Sequence, residues 1–259
     1  MKIATFNING IKARIEALLA WLDAARPDVV LLQEIKSVDE GFPREVFEER
    51  GYFVETHGQK GFNGVAILSR LPLEDVERGL PGDDADAQAR WIEATVVGKV
   101  AVRLVALYLP NGNPAPGPKF DYKLAWMARM KARVADLLAE EVPLVLGGDY
   151  NVIPAPIDAA RPEAWVEDAL FRPESRAAFR AIVNLGLTEA IRTRDPRPGL
   201  YTFWDYQGAA WQKNDGIRID HLLLGPQAAD LLSDAGIDKA VRDGDKPSDH
   251  VPVWIELEA

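Results

Sequence analysis

At 259 residues, 47% of them hydrophobic, the chain is long enough to bury one substantial core, and no long polar or Pro/Ser-rich linker divides it, so one domain spanning 1–259 is expected. Cysteine is absent, which excludes disulfides, thiolate nucleophiles and cysteine-based zinc sites and leaves carboxylates, amides, histidine or water to hold any metal, a donor set suited to hard cations. The 30 basic and 40 acidic residues give a formal charge of −10, which weighs against a polyanionic partner unless a basic surface is concentrated locally.

The opening residues MKIATFNING lack the charged start, apolar run and small-residue cleavage site of a secretory signal. Nowhere do ~18 uncharged apolar residues run together. A soluble, cytoplasmic protein without a membrane partner is expected, and a monomer, since no heptad pattern is present.

In chain order, Lys2–Asn7 is a short apolar run bounded by a turn and predicts a strand, closed by Asn7 and Asn9. Ile11–Ala25 has helical periodicity, with Ile11, Ile15, Leu18, Leu19 and Leu22 on one face. Asp28–Glu34 is the next strand. Its apolar residues Val29-Val30-Leu31-Leu32 lead through Gln33 to Glu34, a carboxylate that must be solvated, paired or metal-bound to offset its desolvation. Strands Gly64–Arg70, Trp91–Val97 and Val102–Leu109 follow, then a Pro/Gly-rich loop at Pro110–Pro118, a helix at Lys119–Glu140 and a strand at Leu144–Asp149. Gly147-Gly148 precede Asp149-Tyr150-Asn151, and glycines there permit close approach of backbone to a ligand. The last strands are Ile217–Leu224 and Val251–Leu257. The mixture of hairpin and βα spacing points to mixed sheets covered by helices, a layered α/β sandwich.

Several strands thus end in polar groups that a buried sheet has no structural reason to carry: Asn7, Asn9, Glu34, Asp149 and Asn151, to which Asp220 and Asp249-His250 are added. Strand ends converge on ligand crevices in α/β folds, so these are candidates for one site. Taken singly, each Asn or Asp reads equally well as a turn or cap residue. Alternation in Arg218-Ile219-Asp220 puts Asp220 on the face opposite Ile219, where it could orient His250 and favour its imidazolium form. His57 and His221 have no such context and read as structural or surface residues. The aromatic stretch Tyr201 to Tyr206, with Trp211 beyond it, reads first as core filling and second as a wall around a flipped-out or base-less nucleotide.

Together these residues resemble the exodeoxyribonuclease III family, within the endonuclease/exonuclease/phosphatase superfamily. The matching blocks are Lys2–Gly10, Leu32–Lys36, Gly61–Ser69, Leu107–Gly112, Gly147–Asn151, Arg218–Asp220 and Ser248–His250, spread over nearly the whole chain. Each block is weak alone; their joint order is specific. The resemblance implies a four-layered sandwich of two mixed sheets packed face to face with helices outside. It also implies Mg²⁺ or Mn²⁺, with Glu34 as principal ligand and Asn7, Asn9, Asp249, Asp149 and Asn151 near the ion. By the same resemblance Asp149, aided by Asn151, positions or deprotonates the attacking water, Tyr108 and Asn111 contact the scissile phosphate, and His250, oriented by Asp220, binds a phosphate oxygen. Phe203, Trp204, Trp211, Ile217 and Ile219 would form a pocket for a sugar without its base, and Arg90, Lys119, Lys36 and Arg218 are basic residues available to backbone phosphates. Relatives from eukaryotes carry Asp at the position of Asn9, so the number of metal ions is left open.

The implied activity is hydrolysis of duplex DNA in base excision repair: cleavage 5′ to abasic sites, 3′→5′ exonuclease action and removal of 3′ blocking groups, in the bacterial cytoplasm at the nucleoid. The alternatives are a phosphatase or phosphodiesterase of the same superfamily acting on a non-DNA substrate, and a catalytically silent DNA-binding module. The silent module is disfavoured because Glu34, Asp149, Asn151, Asp220 and His250 all keep the family's residue types.

Overall fold

A computed structural model describes residues 1–259. Twelve strands form two six-stranded sheets. In chain order they are β1 (Lys2–Asn7), β2 (Val29–Gln33), β3 (Phe53–His57), β4 (Val65–Ser69), β5 (Leu73–Arg78), β6 (Trp91–Val96), β7 (Val102–Tyr108), β8 (Leu144–Asp149), β9 (Thr188–Glu189), β10 (Asp220–Leu224), β11 (Leu232–Ile237) and β12 (Val253–Leu257). One sheet runs β11-β12-β1-β2-β4-β3 and the other β5-β6-β7-β8-β10-β9. Each has one parallel pair at its centre, β1 with β2 and β7 with β8, among otherwise antiparallel neighbours.

The central strands read as unbroken apolar runs because both of their faces are covered. Ile3, Val29, Leu31, Leu104, Ala106, Val145, Leu222 and Ile255 point between the sheets into one buried cluster. Their alternates point outward. On one side Ala4, Phe6, Val30, Leu32 and Ala66 meet Ile11, Leu18, Trp21 and Leu22 of the helix Ile11–Ala25. On the other, Trp91, Val105, Leu107, Leu146 and Leu223 meet Trp126, Met127, Met130, Val134 and Leu137 of the helix Pro118–Leu138. The result is helix, sheet, sheet, helix: the expected four layers.

Gly147 and Gly148 serve this packing rather than a ligand, which corrects the sequence-based expectation. A Cβ on Gly147 would lie 2.6 Å from Leu31 Cδ1 and 2.8 Å from Leu222 Cδ2, between the sheets, and one on Gly148 would lie 2.0 Å from the Leu107 carbonyl oxygen. Side-chain-free backbone is what lets β8 sit this close to its neighbours.

Candidate active site

Strand register gathers the site. Across the parallel pair β7–β8, Tyr108 lies opposite Asp149, and across the antiparallel pair β8–β10, Asp149 lies opposite Asp220. In the facing sheet β1 ends at Asn7, paired with Gln33, and Glu34 follows at once. The two sheets are bound together at this rim by the Asn7 side chain, whose Nδ2 donates to Glu34 Oε1 and to Asp149 Oδ2, each at 2.9 Å. Its Oδ1 is occupied by the backbone N–H of Asn9 at 3.0 Å. Asn7 thus braces two carboxylates through its amide nitrogen, with its oxygen turned to the Asn9 N–H.

Asn9, Glu34, Lys36 and Asn151 all have φ between 46° and 51°. Asn tolerates the left-handed region; Glu and Lys do so at a cost of about 1–3 kcal/mol and only when the surroundings hold them there. They are held: Gly10 N–H donates to the Glu34 carbonyl, and the N–H groups of Ile35 and Lys36 donate to the carbonyls of Gly64 and Asn63. This hairpin-like grip turns the Glu34 and Lys36 side chains toward the same opening, where Lys36 Nζ lies 3.0 Å from Glu34 Oε2.

A second set of groups lies beside Asp149. His250 Nδ1 donates to Asp220 Oδ2 at 2.8 Å, leaving Nε2 aimed at Asp149 Oδ2, 3.7 Å away. Asp220 is itself held by Thr202, whose hydroxyl donates to Oδ2 at 2.6 Å while accepting from the backbone N–H groups of Ile219 and Asp220. The Phe203 ring covers the imidazole with centroids 5.0 Å apart. All three ionisable groups are at most 4% exposed. Burial opposes the imidazolium, but the charges of Asp220 and Asp149 outweigh it and His250 is held well above its ordinary value. Burial, reinforced by the charges of Asp220 and Glu34, likewise pushes Asp149 up against the pull of His250 and the Asn151 N–H. Both rises describe one proton retained between carboxylate and imidazole. Glu34 goes the other way: burial disfavours its charge, yet hydrogen bonding from Asn7 and the Lys36 ammonium hold it below the usual carboxylate range.

One oxygen each of Glu34 and Asp149 and a nitrogen of His250 lie within 4.8 Å of one another. With its Nδ1–H committed to Asp220 and a proton on Nε2, His250 is a donor to anions and not a metal ligand. Two converging carboxylates, linked by the shared Asn7 amide, are the donors a hard divalent cation takes, so the site fits one. Asp249 Oδ1 accepts from Asn9 Nδ2 at 3.0 Å on the outer side.

On the opposite side of Asp149, Asn151 donates its backbone N–H to Asp149 Oδ1 at 2.9 Å and its amide to the Leu109 carbonyl. Asn111 donates to Asn151 Oδ1 at 3.2 Å. The Tyr108 phenol is pushed far above its ordinary range by burial and by the charges of Glu34 and Asp149, so it stays protonated. Arg90 lies 4.8 Å over the Tyr108 ring.

Sequence reasoning missed two residues here. Lys123, fully buried, donates from Nζ to the backbone carbonyls of Asn111 (3.1 Å) and Asn151 (2.5 Å), tying both loops to the helix behind them. Burial, partly offset by Asp149 and Asp168, lowers its ammonium to about 7. Its signal was legible: a lysine on the apolar stripe Phe120, Lys123, Met127, Met130 of an amphipathic helix. Thr202 left no signal, since only distance to Asp220 distinguishes it.

Other expectations divide. A cleft of about 910 Å³ is lined by Phe203 and Ile217 together with Trp165, Arg161 and Asp215, and Phe203 is the lining residue that packs on the His250 ring. Ile219 and Trp204, at 2% and 0% exposure, lie beneath the surface as packing, and Trp211 lines a neighbouring hollow with Tyr206 and Arg242. Arg218 is unavailable to a phosphate: it is buried, its guanidinium bonded to Asp158 and Glu189, each at 2.8 Å. Lys119 is exposed at the start of its helix. His57 and His221 stand outside the site, each bonded to a backbone carbonyl.

Residues 4–250 match the endonuclease/exonuclease/phosphatase family. The chain is 35% identical to the exodeoxyribonuclease III of Haemophilus influenzae, over 99% of this chain and 100% of that protein. Among solved structures it superposes on a Neisseria 3′ phosphatase, NExo, bound to a product DNA hairpin, with a TM-score of 0.96, 39% identity and full coverage of both chains. It superposes equally over both full lengths on an AP endonuclease from Archaeoglobus fulgidus, with a TM-score of 0.95 and 34% identity. With the strand-end constellation in place and the match running through all of it, the chain belongs to the endonuclease/exonuclease/phosphatase family.

Proposed function

We propose that the chain is a divalent-metal-dependent DNA-repair nuclease that hydrolyses phosphodiester bonds in duplex DNA, cutting 5′ to abasic sites, trimming 3′ ends and removing 3′ blocking groups. The observation that carries this reading is the placement of Asp149 between Glu34 and the His250–Asp220–Thr202 chain, at a rim where both sheets contribute.

Asp149 accepts a proton from the attacking water, with Asn151 N–H fixing the carboxylate's orientation through Oδ1. The water oxygen bonds to phosphorus and the P–O3′ bond breaks, giving a 3′-hydroxyl and a 5′-phosphate. His250 donates from Nε2 to a non-bridging phosphate oxygen and neutralises the charge developing there; Asp220 keeps it oriented and protonated. Tyr108, held protonated, supplies a donor to the phosphate or the departing 3′-oxygen, and Asn111 binds the phosphate. Glu34 and Asp149, with Asp249 and Asn151 beside them, would hold Mg²⁺ or Mn²⁺, which when bound supplies Lewis-acid stabilisation of phosphate charge. The site needs no protein nucleophile, in keeping with a chain that has no cysteine.

Substrate choice is assigned to the cleft that Phe203 and Ile217 line, where they offer apolar walls to a sugar without its base. A phosphatase of small esters is the competing reading. Hydrolysis of a 3′-phosphate from a duplex end, measured with rising undamaged duplex and separately with rising small phosphomonoester, separates them. Competition by duplex and not by the small ester is expected; the reverse would transfer the assignment to a non-DNA phosphoester.

A further inference from the structure

Lys123 is buried behind the reacting groups, yet its amino group is bonded to no carboxylate: it donates to the backbone carbonyls of Asn111 at 3.1 Å and Asn151 at 2.5 Å. Burying an ionisable group away from a counter-ion is costly, and a methionine would fill the same place on the apolar stripe of the helix without that cost. The bonds themselves require N–H rather than charge, since an amine still offers two donors where an ammonium offers three, and two carbonyls accept them. The loop above is shaped to the lysine stem. A Cβ on Gly112, at φ 89°, would lie 2.6 Å from Lys123 Cδ and 3.2 Å from Ala169 Cβ, so only glycine lets the chain pass over it.

The two residues it holds belong to different loops of the site. Asn151 follows β8, its backbone in the left-handed region at φ 46°, with its N–H on Asp149 Oδ1 at 2.9 Å and its carbonyl on Lys123. Asn111, 40 positions earlier and just beyond β7, donates from Nδ2 to Asn151 Oδ1 at 3.2 Å, while its Oδ1 accepts from the Asn113 N–H at 3.1 Å. Lys123, Asn111 and Asn151 thus close a triangle of hydrogen bonds, and the Lys123 amino group is the corner that joins it to the helix Pro118–Leu138.

We propose that Lys123 is a positioning residue for hydrolysis: by holding the carbonyls of Asn111 and Asn151 it sets the amide assigned to the phosphate against the N–H that orients the general base. The inference rests on the nuclease reading above. Lys123 touches no reacting atom and acts only through these two residues. Replaced by an apolar group of the same shape, it would leave two buried carbonyls without their donor and both loops free to shift, and a displacement of ~1 Å is enough to lower a rate on the order of 10²-fold.

The chain has no cysteine, so Lys123→Cys provides a single thiol that can be alkylated in denaturant before refolding. An aminoethyl group rebuilds the lysine side chain with sulfur in place of Cγ, and a propyl group gives the same shape without N–H. Both forms, and wild type carried through the same treatment, are compared at saturating labelled duplex in Mg²⁺, scoring cuts at an abasic-site analogue and at the 3′ end, with circular dichroism melts confirming that each is folded. The aminoethyl form is expected within about threefold of the wild type, and the propyl form about 10–100-fold lower in kcat at a similar melting temperature. Equal kcat in the two folded forms, whether high or low, would overturn the proposal and leave the nuclease reading standing, because space filling alone would then account for the residue. Lys123→Met, which needs no refolding, should match the propyl form; turnover like that of the wild type in it would also sink the proposal. A wild type that hydrolyses neither position would remove the nuclease reading itself.

Discussion

Asp149 is the residue on which the two sheets, the imidazole chain and the Asn151 loop converge, and each contact has a separate consequence. Asn7 donates to one oxygen and Asn151 to the other, so the carboxylate cannot rotate without breaking one of two bonds. Asp149→Asn keeps the shape and removes the base; kcat should fall by about 10²–10⁴-fold with the melting temperature little changed. Turnover near that of the wild type on a labelled duplex would remove Asp149 from the mechanism. Thr202 is tested differently, because its hydroxyl serves three partners at once. Thr202→Val leaves two buried N–H groups unpaired and removes one of the two donors to Asp220 Oδ2, so stability should drop by about 1–3 kcal/mol in a denaturant melt, accompanied by lower kcat as Asp220 holds His250 less firmly. An unchanged melt would mean that water replaces the hydroxyl. The chemistry-bearing residues were legible in sequence because they break apolar runs, as Glu34 and Asp149 do. The direction of each amide was not: that Asn7 presents nitrogen rather than oxygen to the carboxylates depends on bonds to residues 27 and 142 positions away.

At the scale of elements, β1, β2, β4, β6, β7, β8, β10 and β12 were legible from their apolar runs, and β3, β5, β9 and β11 were not. Those four are the edge strands of the two sheets. An edge strand has one neighbour and an outward face in water, so it carries charge, as in Leu73–Arg78 with its four exposed residues, and no continuous run marks it. Arg218 was misread for a related reason. Its sequence position near Asp220 suggests the site surface, but the segment just before β10, anchored by the Arg218 N–H on the Asp158 carbonyl, turns it inward to a buried network of Asp158, Glu189 and Arg192. Burial disfavours the Glu189 charge, but the Arg218 guanidinium and the Arg192 N–H overcome this and set its pKa at about 2 against an ordinary 4.5. A depressed carboxyl contributes stability that is complete above about pH 4.5 and lost as pH falls toward 2. The melting temperature should accordingly decline across that window, and Glu189→Gln should melt lower at neutral pH with a shallower acid decline. An equal decline in both proteins would place the acid sensitivity elsewhere.

For the whole molecule, the −10 charge and the DNA substrate are reconciled by where charges are spent. Of the basic residues considered for phosphate contact, Arg218 is buried in an ion network and Lys36 is committed to Glu34 and Asn9, which leaves Arg90, over the Tyr108 ring, and the exposed Lys119. No helix is long and apolar enough to cross a membrane. The most direct test of repair-nuclease function is incubation of the wild-type chain with an end-labelled duplex carrying one abasic-site analogue, in Mg²⁺, in chelator, and beside an undamaged control. A single Mg²⁺-dependent cut on the 5′ side of the lesion, leaving a 3′-hydroxyl, is predicted, with the control shortened only from its 3′ end; no cut in Mg²⁺ or Mn²⁺, or a cut that persists in chelator, would contradict it.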